Sequence, residues 1–316
     1  MRDKSYVFCI ATRKSTLAVE QSNLVARRIM QVIGYNAKLL EMNTTGDRKS
    51  DEVAPIKRDK KDWIRELEDS ILEGRADLAI HSGKDVPVDI DKDTILIPVL
   101  RRESAFDVFI PHPRVRESAR DVEGKFLECL PVGAVIGTSS IRRKSQLLRY
   151  RSDIEVVEHR GNVPTRLEKL KGSKCLHGIV LAEAGINRLG LSSEVVEQIA
   201  PEVMLPAINQ GILVAQVRSG NTFVVDSIKT LIDAETLCEW EAERGCIGVL
   251  NADCNSAVGI YAKASEGSVR VVCRVLSRDG KICVERTLVG DRASAYLLGV
   301  QLGREILASG GRELLV

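Results

Sequence analysis

The run Val132-Gly133-Ala134-Val135-Ile136-Gly137 passes without a break into Thr138-Ser139-Ser140-Ile141-Arg142-Arg143 and on to Tyr150. An apolar stretch that ends on glycine, then three hydroxyl residues, then a longer segment, reads as a buried strand, a helix cap and a helix. A strand that feeds directly into a helix is half of a βαβ unit, so this stretch predicts an α/β fold with a largely parallel sheet. Working outward, Asp107–Ile110, Ile154–Glu158 and Gly178–Ala182 read as further strands and Val163–Leu170 as a helix. The same rhythm occupies the earlier chain. Tyr6–Ala11, Ala37–Met42, Asp77–His81 and Ile95–Leu100 read as strands, and Ser15–Ile33 and Asp62–Glu73 as helices followed by Gly34 and Gly74. The pattern restarts after Arg101-Arg102-Glu103, and Ile212–Val217 reads as a strand returning to the first domain.

The end of the chain changes character. Asp233–Leu250 predicts a long helix, and Val258–Lys263, Val269–Leu276 and Ile282–Leu288 predict strands. Arg278-Asp279-Gly280-Lys281 is a hairpin turn, and Ser294–Ala308 is a closing amphipathic helix. The expected architecture is therefore α/β in two domains, with a small C-terminal α+β domain built on an antiparallel sheet. The predicted boundaries are 1–105 with 206–230, then 106–205, then 231–316. The segment Asp47–Lys61, dense in both charge signs, reads as a mobile loop.

Composition narrows the function. The 316 residues hold 46 Lys and Arg against 44 Asp and Glu, a formal +2. That balance argues against a nucleic-acid partner. Hydrophobics at 44% and charges at 28% are those of an ordinary globular protein. There is no apolar run of membrane-spanning length and no secretory h-region, so we expect a cytoplasmic protein without membrane association. The eight cysteines include no C-x-x-C, and no histidine stands at a zinc-like spacing from them, so no metal site is expected.

Charge is balanced overall but not locally. From Arg142 to Lys174 there are ten Lys or Arg and four Asp or Glu. Arg142 and Arg143 open a helix just after the Thr138-Ser139-Ser140 hydroxyls, where unpaired N–H groups and the helix dipole favour anions. Arg160 and Arg166 flank a Gly-Asn-Val-Pro turn. Guanidinium forks match carboxylates or phosphates, so these residues are candidates for binding several anionic groups. Lys169, Lys171 and Lys174 read as a solvated helix face. A second candidate, His81-Ser82-Gly83-Lys84-Asp85-Val86-Pro87, follows a strand directly. Asp85 there is either a turn cap or a group that stabilises a developing cation, and Lys84 is a possible anion partner. Arg13 and Ser15 stand at the next strand-to-helix passage, with Ser15 also a natural N-cap. Cys254, in the polar turn Leu250-Asn251-Ala252-Asp253-Cys254-Asn255-Ser256, is a more accessible thiol than the strand residues Cys273 and Cys283.

Taken in order, these stretches resemble the porphobilinogen deaminase family, the hydroxymethylbilane synthases. The match runs through Arg13-Lys14-Ser15-Thr16-Leu17-Ala18, Thr45-Gly46-Asp47, His81 to Pro87 and Gly137 to Arg143. It continues through Arg160-Gly161-Asn162-Val163 with Thr165-Arg166-Leu167, Leu181 to Gly185 with Arg188-Leu189-Gly190, Leu205-Pro206-Ala207 with Gln210-Gly211, and Glu243-Arg244 leading to Cys254. The resemblance implies two domains like type II periplasmic binding proteins hinged around a cleft, and a third that carries a dipyrromethane cofactor on a cysteine thioether, here Cys254. It implies a monomeric transferase that condenses four porphobilinogens head to tail with loss of ammonia, then hydrolyses the product free. Asp85 is then the catalytic carboxylate. Arg13, Ser15, Lys60, Lys84, Thr138, Ser139, Ser140, Arg142, Arg143, Arg160, Arg166 and Arg188 are then the donors for cofactor and substrate carboxylates. A non-catalytic two-lobed binding protein for a polycarboxylate is the competing expectation. The chain departs from the family pattern at Arg58-Asp59-Lys60-Lys61 (usually Gly-Gly-Lys-Gly) and at Ala252-Asp253-Cys254-Asn255-Ser256-Ala257 (usually Gly-Gly-Cys-x-x-Pro). Asn209 stands for a usual glycine, and Gln216 for an acidic residue.

Overall fold

The computed structural model describes residues 5–45, 61–118, 126–195, 197–252 and 255–315. Lys60, Asp253, Cys254 and nearly all of the predicted Asp47–Lys61 loop lie outside these residues.

The chain forms two compact units, 1–103 with 212–240 and 104–211 with 241–316. The first unit holds β1 (Val7–Arg13), β2 (Asn36–Met42), β3 (Leu78–Ser82), β4 (Thr94–Val99) and the late strand β10 (Leu213–Arg218). The sheet order is β2-β1-β3-β10-β4. β1 runs parallel to β2 and β3, and β10 is antiparallel to both its neighbours. The sequence predicted a largely parallel sheet with a returning strand. The return is an insertion between β3 and β4, and it makes the sheet mixed.

Helix α1 (Thr16–Ile33) starts where the Ser15 side chain accepts the Ala18 N–H, and it stops at Gly34, whose left-handed φ of 80° lets its N–H reach the Ile29 and Met30 carbonyls. Helix α2 (Lys61–Leu72) turns Ile64, Leu67 and Ile71 inward. The core beneath α1 gathers Phe8, Ile10, Val25, Ile29, Leu78 and Val217, each large side chain contributing about 1.5–3 kcal/mol on burial. Edge-to-face contacts of Tyr6 with Phe8, Tyr35 and Phe223 close one end of it.

The second unit repeats the plan. Its strands are β5 (Asp107–Pro111), β6 (Val135–Gly137), β7 (Glu155–Val157), β8 (Gly178–Ala182) and the short β9 (Glu197–Gln198), which the sequence did not reveal. The order is β7-β6-β8-β5-β9. β6 is parallel to β7 and β8, and β5 is antiparallel to β8 and β9. In both sheets three parallel strands meet one reversed strand, and a fifth strand runs antiparallel to that one. Short helices α3 (Pro113–Ser118) and α4 (Phe126–Cys129) follow β5. Helices α5 (Ile141–Tyr150), α6 (Val163–Lys171) and α7 (Glu183–Arg188) each follow one of the parallel strands. Phe109, Ile136, Leu147 and Val180 fill one face of this sheet, and Val108, Leu167, Leu170 and Ile179 the other.

After α8 (Thr222–Lys229), α9 (Ala234–Leu250) spans the boundary between the two units. The expected antiparallel sheet follows, with β11 (Ala257–Ala264), β12 (Ser268–Leu276) and β13 (Cys283–Asp291) in that order. The β12–β13 hairpin turns through Gly280 at φ 76°, as the sequence predicted. Helix α10 (Ala295–Ile306) closes the chain against this sheet. Among the described residues no helix is long and apolar enough to cross a membrane.

Helices α9 and α10 approach at backbone distance through glycine. A Cβ on Gly299 would stand 2.0 Å from the Ala242 carbonyl oxygen and 2.9 Å from the Cys246 nitrogen. Neither backbone atom can yield without moving a helix. Gly299→Ala is expected to cost about 1–3 kcal/mol, read as a lowered urea midpoint for the second unit with an unchanged far-UV spectrum. An unshifted midpoint would contradict this packing.

Candidate functional site

In each unit the candidate residues sit at the carboxyl ends of adjacent parallel strands, where α/β sheets bind ligands. In the first unit β1 pairs with β3 through Ile10–Leu78 and Ala11–Ala79, so the two strands end side by side. Arg13 closes β1, and its guanidinium lies 4.2 Å over the Trp63 ring. Ser15 caps α1. Lys84 and Asp85 lie in the single 3₁₀ turn Gly83–Asp85 that follows β3, and both are half-buried. Gln21 of α1 donates to the Ser82 hydroxyl at 2.9 Å, and the Gly83 N–H donates to the Ile212 carbonyl at 2.9 Å. These bonds fix the turn. Asp85 has no hydrogen-bond partner among the described residues.

His81, in β3, is buried. Its Nε2 is 3.0 Å from Gln216 Oε1. Burial pushes its pKa down to about 4, against the opposing influence of the Gln216 hydrogen bond and of Asp85. An imidazole that stays neutral when folded but titrates near 6.5 when unfolded lets the unfolded chain bind more protons below that value. Its contribution to stability is therefore present above pH 6.5 and lost as the pH falls towards 4.

In the second unit Gly137 pairs with Val157 on one side and Ile179 on the other, which aligns the ends of β6, β7 and β8. The hydroxyls of Thr138, Ser139 and Ser140 accept backbone N–H groups from Ser140 (3.2 Å), His159 (3.2 Å) and Arg143 (3.4 Å) respectively. Each oxygen is thus held as an acceptor, and its own O–H is left to donate. Arg160, after β7, pairs with Glu158. Arg166 Nε donates to the Gly161 carbonyl at 2.7 Å, and Arg188 Nη2 to the Gly211 carbonyl at 2.7 Å. All three arginines are half-buried.

Arg142 and Arg143 behave differently. Both are buried, and both converge on Asp107. Arg142 Nη2 lies 2.8 Å from one carboxylate oxygen. Arg143 Nε and Nη2 donate to the other at 3.0 and 2.8 Å. Carbonyls of Leu205 and Val180 take one further N–H from each, and Gln210 Nε2 reaches Asp107 at 3.1 Å. Burial pulls the Arg142 pKa down, opposed by Asp107. The sequence reading placed these two arginines among the donors for cofactor and substrate carboxylates and did not find Asp107. A lone acid opening the apolar run Asp107-Val108-Phe109-Ile110 was the available signal, since a buried carboxylate needs a partner.

Asn209, in place of the family's glycine, adopts φ 54°, a left-handed conformation that asparagine tolerates. It is fully buried. Its backbone N–H donates to the Glu243 carboxylate, whose other oxygen accepts the Ala262 N–H at 2.8 Å. Its side-chain amide has no partner among the described residues. Of the predicted set, Lys60 and Cys254 lie outside the described residues. Among the described residues no group of three or more His, Cys, Asp or Glu could hold a metal ion.

Two family models match the chain. "Porphobilinogen deaminase, dipyromethane cofactor binding domain" covers residues 8–226, and "Porphobilinogen deaminase, C-terminal domain" covers 237–308. The chain belongs to the porphobilinogen deaminase family. A porphobilinogen deaminase of Francisella philomiragia is 35% identical over 306 residues, 97% of this chain and 98% of its own. One from Alkaliphilus metalliredigens is 33% identical over 307 residues, 97% and 94%. Among solved structures, the reduced regulatory domain of OxyR2 from Vibrio vulnificus aligns with 73% of this chain and 98% of its own, at 14% identity and a TM-score of 0.42. Membership agrees with the expected activity in tetrapyrrole biosynthesis and with the expected dipyrromethane cofactor, and it favours the enzyme over the binding protein.

The Asp107 clamp can be tested directly. Asp107→Ala leaves two buried guanidinium groups without their carboxylate and is expected to cost about 3–5 kcal/mol. Denaturation monitored in the second unit reads this. A loss below about 1 kcal/mol would mean the clamp is no stronger than a surface ion pair.

Proposed function

We propose that this chain condenses porphobilinogen units head to tail, with Asp85 as the catalytic carboxylate, Cys254 as the attachment point of the cofactor, and the strand-end arginines as receivers of carboxylates. The observation that carries this reading is the donor set. Arg160 shortly after β7, Arg166 in α6 and Arg188 at the end of α7 belong to the same unit as three hydroxyls whose oxygens already accept from the backbone. A dipyrromethane brings an acetate and a propionate on each ring, together with two ring N–H groups, so guanidinium and hydroxyl donors with one unpaired carboxylate suit its chemistry. When bound, that group supplies a nucleophilic pyrrole carbon on which the first substrate unit is added.

The chain's own residues do the rest. Arg160, Arg166 and Arg188 bind substrate carboxylates bidentately, and Thr138, Ser139 and Ser140 add hydrogen bonds. Arg142 and Arg143, anchored on Asp107, complete the set at its buried end. Arg13, Ser15, Lys60 and Lys84 are the carboxylate donors that the first unit contributes. In each cycle the aminomethyl C–N bond breaks, ammonia leaves, and a C–C bond forms to the free ring carbon, which gives up its proton. Asp85 accepts the pyrrole N–H and balances the positive charge left as ammonia departs. After four additions water cleaves the product free. Porphobilinogen is then the partner. The near-balance of charge supports an enzyme that needs no nucleic acid or membrane. The seven described cysteines form no disulfide, which suits a reducing cytoplasm. We also read the enzyme as a monomer in three domains, at the boundaries 1–105 with 206–230, 106–205 and 231–316.

Intact-mass measurement on protein made in a haem-producing host tests the assignment. Wild type is expected to carry a dipyrromethane-sized increment, and Cys254→Ala none. Asp85→Ala is expected to retain the increment while ammonia release falls about 10²–10³-fold. Folded wild-type protein with no increment, before or after exposure to porphobilinogen, would refute the reading.

A further inference from the structure

β3, β10, β4 and α2 enclose a chain of polar side chains that the steps above do not use. Gln216, fully buried on β10, donates through Nε2 to Glu68 Oε1 at 2.6 Å and to Thr94 Oγ1 at 2.9 Å. Thr94 in turn donates its hydroxyl to the Asp91 carbonyl at 2.9 Å, so its oxygen is an acceptor for the amide. Two acceptors on one side fix which way the Gln216 amide points. Its Oε1 therefore faces His81 Nε2, 3.0 Å away. An amide oxygen can only accept, so the proton of the neutral imidazole is assigned to Nε2 by this network.

Three other groups bear on the ring. Asp85 acts on it from the 3₁₀ turn and favours a proton, whereas Arg13 from the end of β1 opposes one. Glu68 on α2 reaches the amide nitrogen of Gln216. Burial dominates all of these. A carboxylate in place of the Gln216 amide would reverse the balance, because it would pair with an imidazolium across the same 3.0 Å contact. Position 216 is one of the places where this chain departs from the acidic residue of its family pattern.

We propose that Gln216 and His81 are positioning residues for the reaction: burial in the sheet keeps His81 neutral and the Gln216 amide oxygen fixes its proton on Nε2, just before the 3₁₀ turn, so that no titrating cation stands beside Asp85. This rests on the reading of Asp85 as the catalytic carboxylate. Asp85 balances the positive charge that develops when ammonia leaves. An imidazolium next to it would compete for the same carboxylate and weaken that balance. Burial, with an uncharged amide rather than a carboxylate at 216, thus keeps the field at Asp85 constant over the range in which histidine ordinarily titrates.

Histidine-labelled NMR of the holoenzyme tests the first half, and the chain's four histidines make assignment tractable. Wild-type His81 is expected to show the Nε2–H tautomer and no titration between about pH 5 and pH 8. In Gln216→Glu the His81 pKa is expected to rise by about two units or more. The variant's kcat should then fall as the pH drops through the new value and recover above it, with KM for porphobilinogen changed less than about twofold. The new carboxylate would also face Glu68, so the exchange Glu68→Gln with Gln216→Glu keeps one acid and one amide in contact. It is expected to show the same titration if the single variant does not fold.

A wild-type His81 that titrates within that range, or that carries its proton on Nδ1, overturns the proposal. So does a variant whose His81 shifts while its pH–rate profile stays that of wild type. If Asp85→Asn leaves kcat unchanged, the reading of Asp85 itself has failed. In that event the tautomer result still stands on its own, which separates the two failures.

Discussion

Much of the strand-end rim of the second unit depends on one buried carboxylate. Asp107 is the first residue of β5, and β5 pairs with β8 so that Asp107 lies beside Ala182, the last residue of that strand. An antiparallel strand thereby delivers its starting residue to the carboxyl ends of the parallel ones. Two arginines at the start of α5 turn back to meet it. The count of full charges does not balance, with two guanidinium groups to one carboxylate. The carbonyls of Leu205 and Val180 accept one further N–H from each arginine, and these dipoles make burial of the second cation tolerable. Asp107 therefore sets where α5 begins and how its first turn is held.

The same node organises the turn that joins β9 to β10. The Leu205 carbonyl accepts from Arg142 and from Gln146, and Gln146 Oε1 accepts in return from the Leu205 N–H and from Arg274 of β12. Gln210 reaches the Ala105 carbonyl and Asp107. Glu243 takes the Asn209 N–H and the Ala262 N–H. Residues 205–211 are thus tied by side chains to α5, β5, α9 and β11. A turn that carries a left-handed asparagine can persist under these conditions, because each neighbour restricts the backbone independently. The Gly211 carbonyl that receives Arg188 lies at the end of this segment, so an arginine from the candidate set leans on the same scaffold.

Much of this was legible in the sequence, and the limits have physical causes. Strand-to-helix passages at Arg13 and Gly137 announced themselves because an apolar run, hydroxyl residues and a helical segment follow one another there. Both sheets were expected to be largely parallel. The reversals at β10 and β5 depend on pairing across long sequence separations, which local pattern does not encode. β9 is two residues long, too short to carry a period. Adjacent Arg142 and Arg143 looked like ligand donors because they open a helix just after three hydroxyl residues, where anions are favoured. Only the three-dimensional arrival of Asp107 shows that both are buried. The departures at 209 and 216 were visible as letters, but what each does depends on its neighbours. Asn209 donates its backbone N–H to Glu243, and Gln216 accepts from a histidine.

The two five-stranded sheets share one plan, and the shared plan explains why their candidate residues differ in kind. Each sheet offers three aligned strand ends, and each end can present hydroxyls, cations or an acid. In the second unit the reversed strand β5 starts at that end and brings an acid, which buried arginines can use as an anchor while other arginines remain near the surface. In the first unit the reversed strand β10 also starts there, at Leu213, but Leu213 and the residue paired with His81, Val214, are apolar. The polar member, Gln216, lies deeper along the strand and meets His81 from within the sheet rather than at its rim. An acid at the rim can collect cations, whereas an amide inside the sheet can only orient a neutral ring. The reversed strand thus contributes a charged anchor at the rim of one sheet and a neutral hydrogen-bonding group within the other.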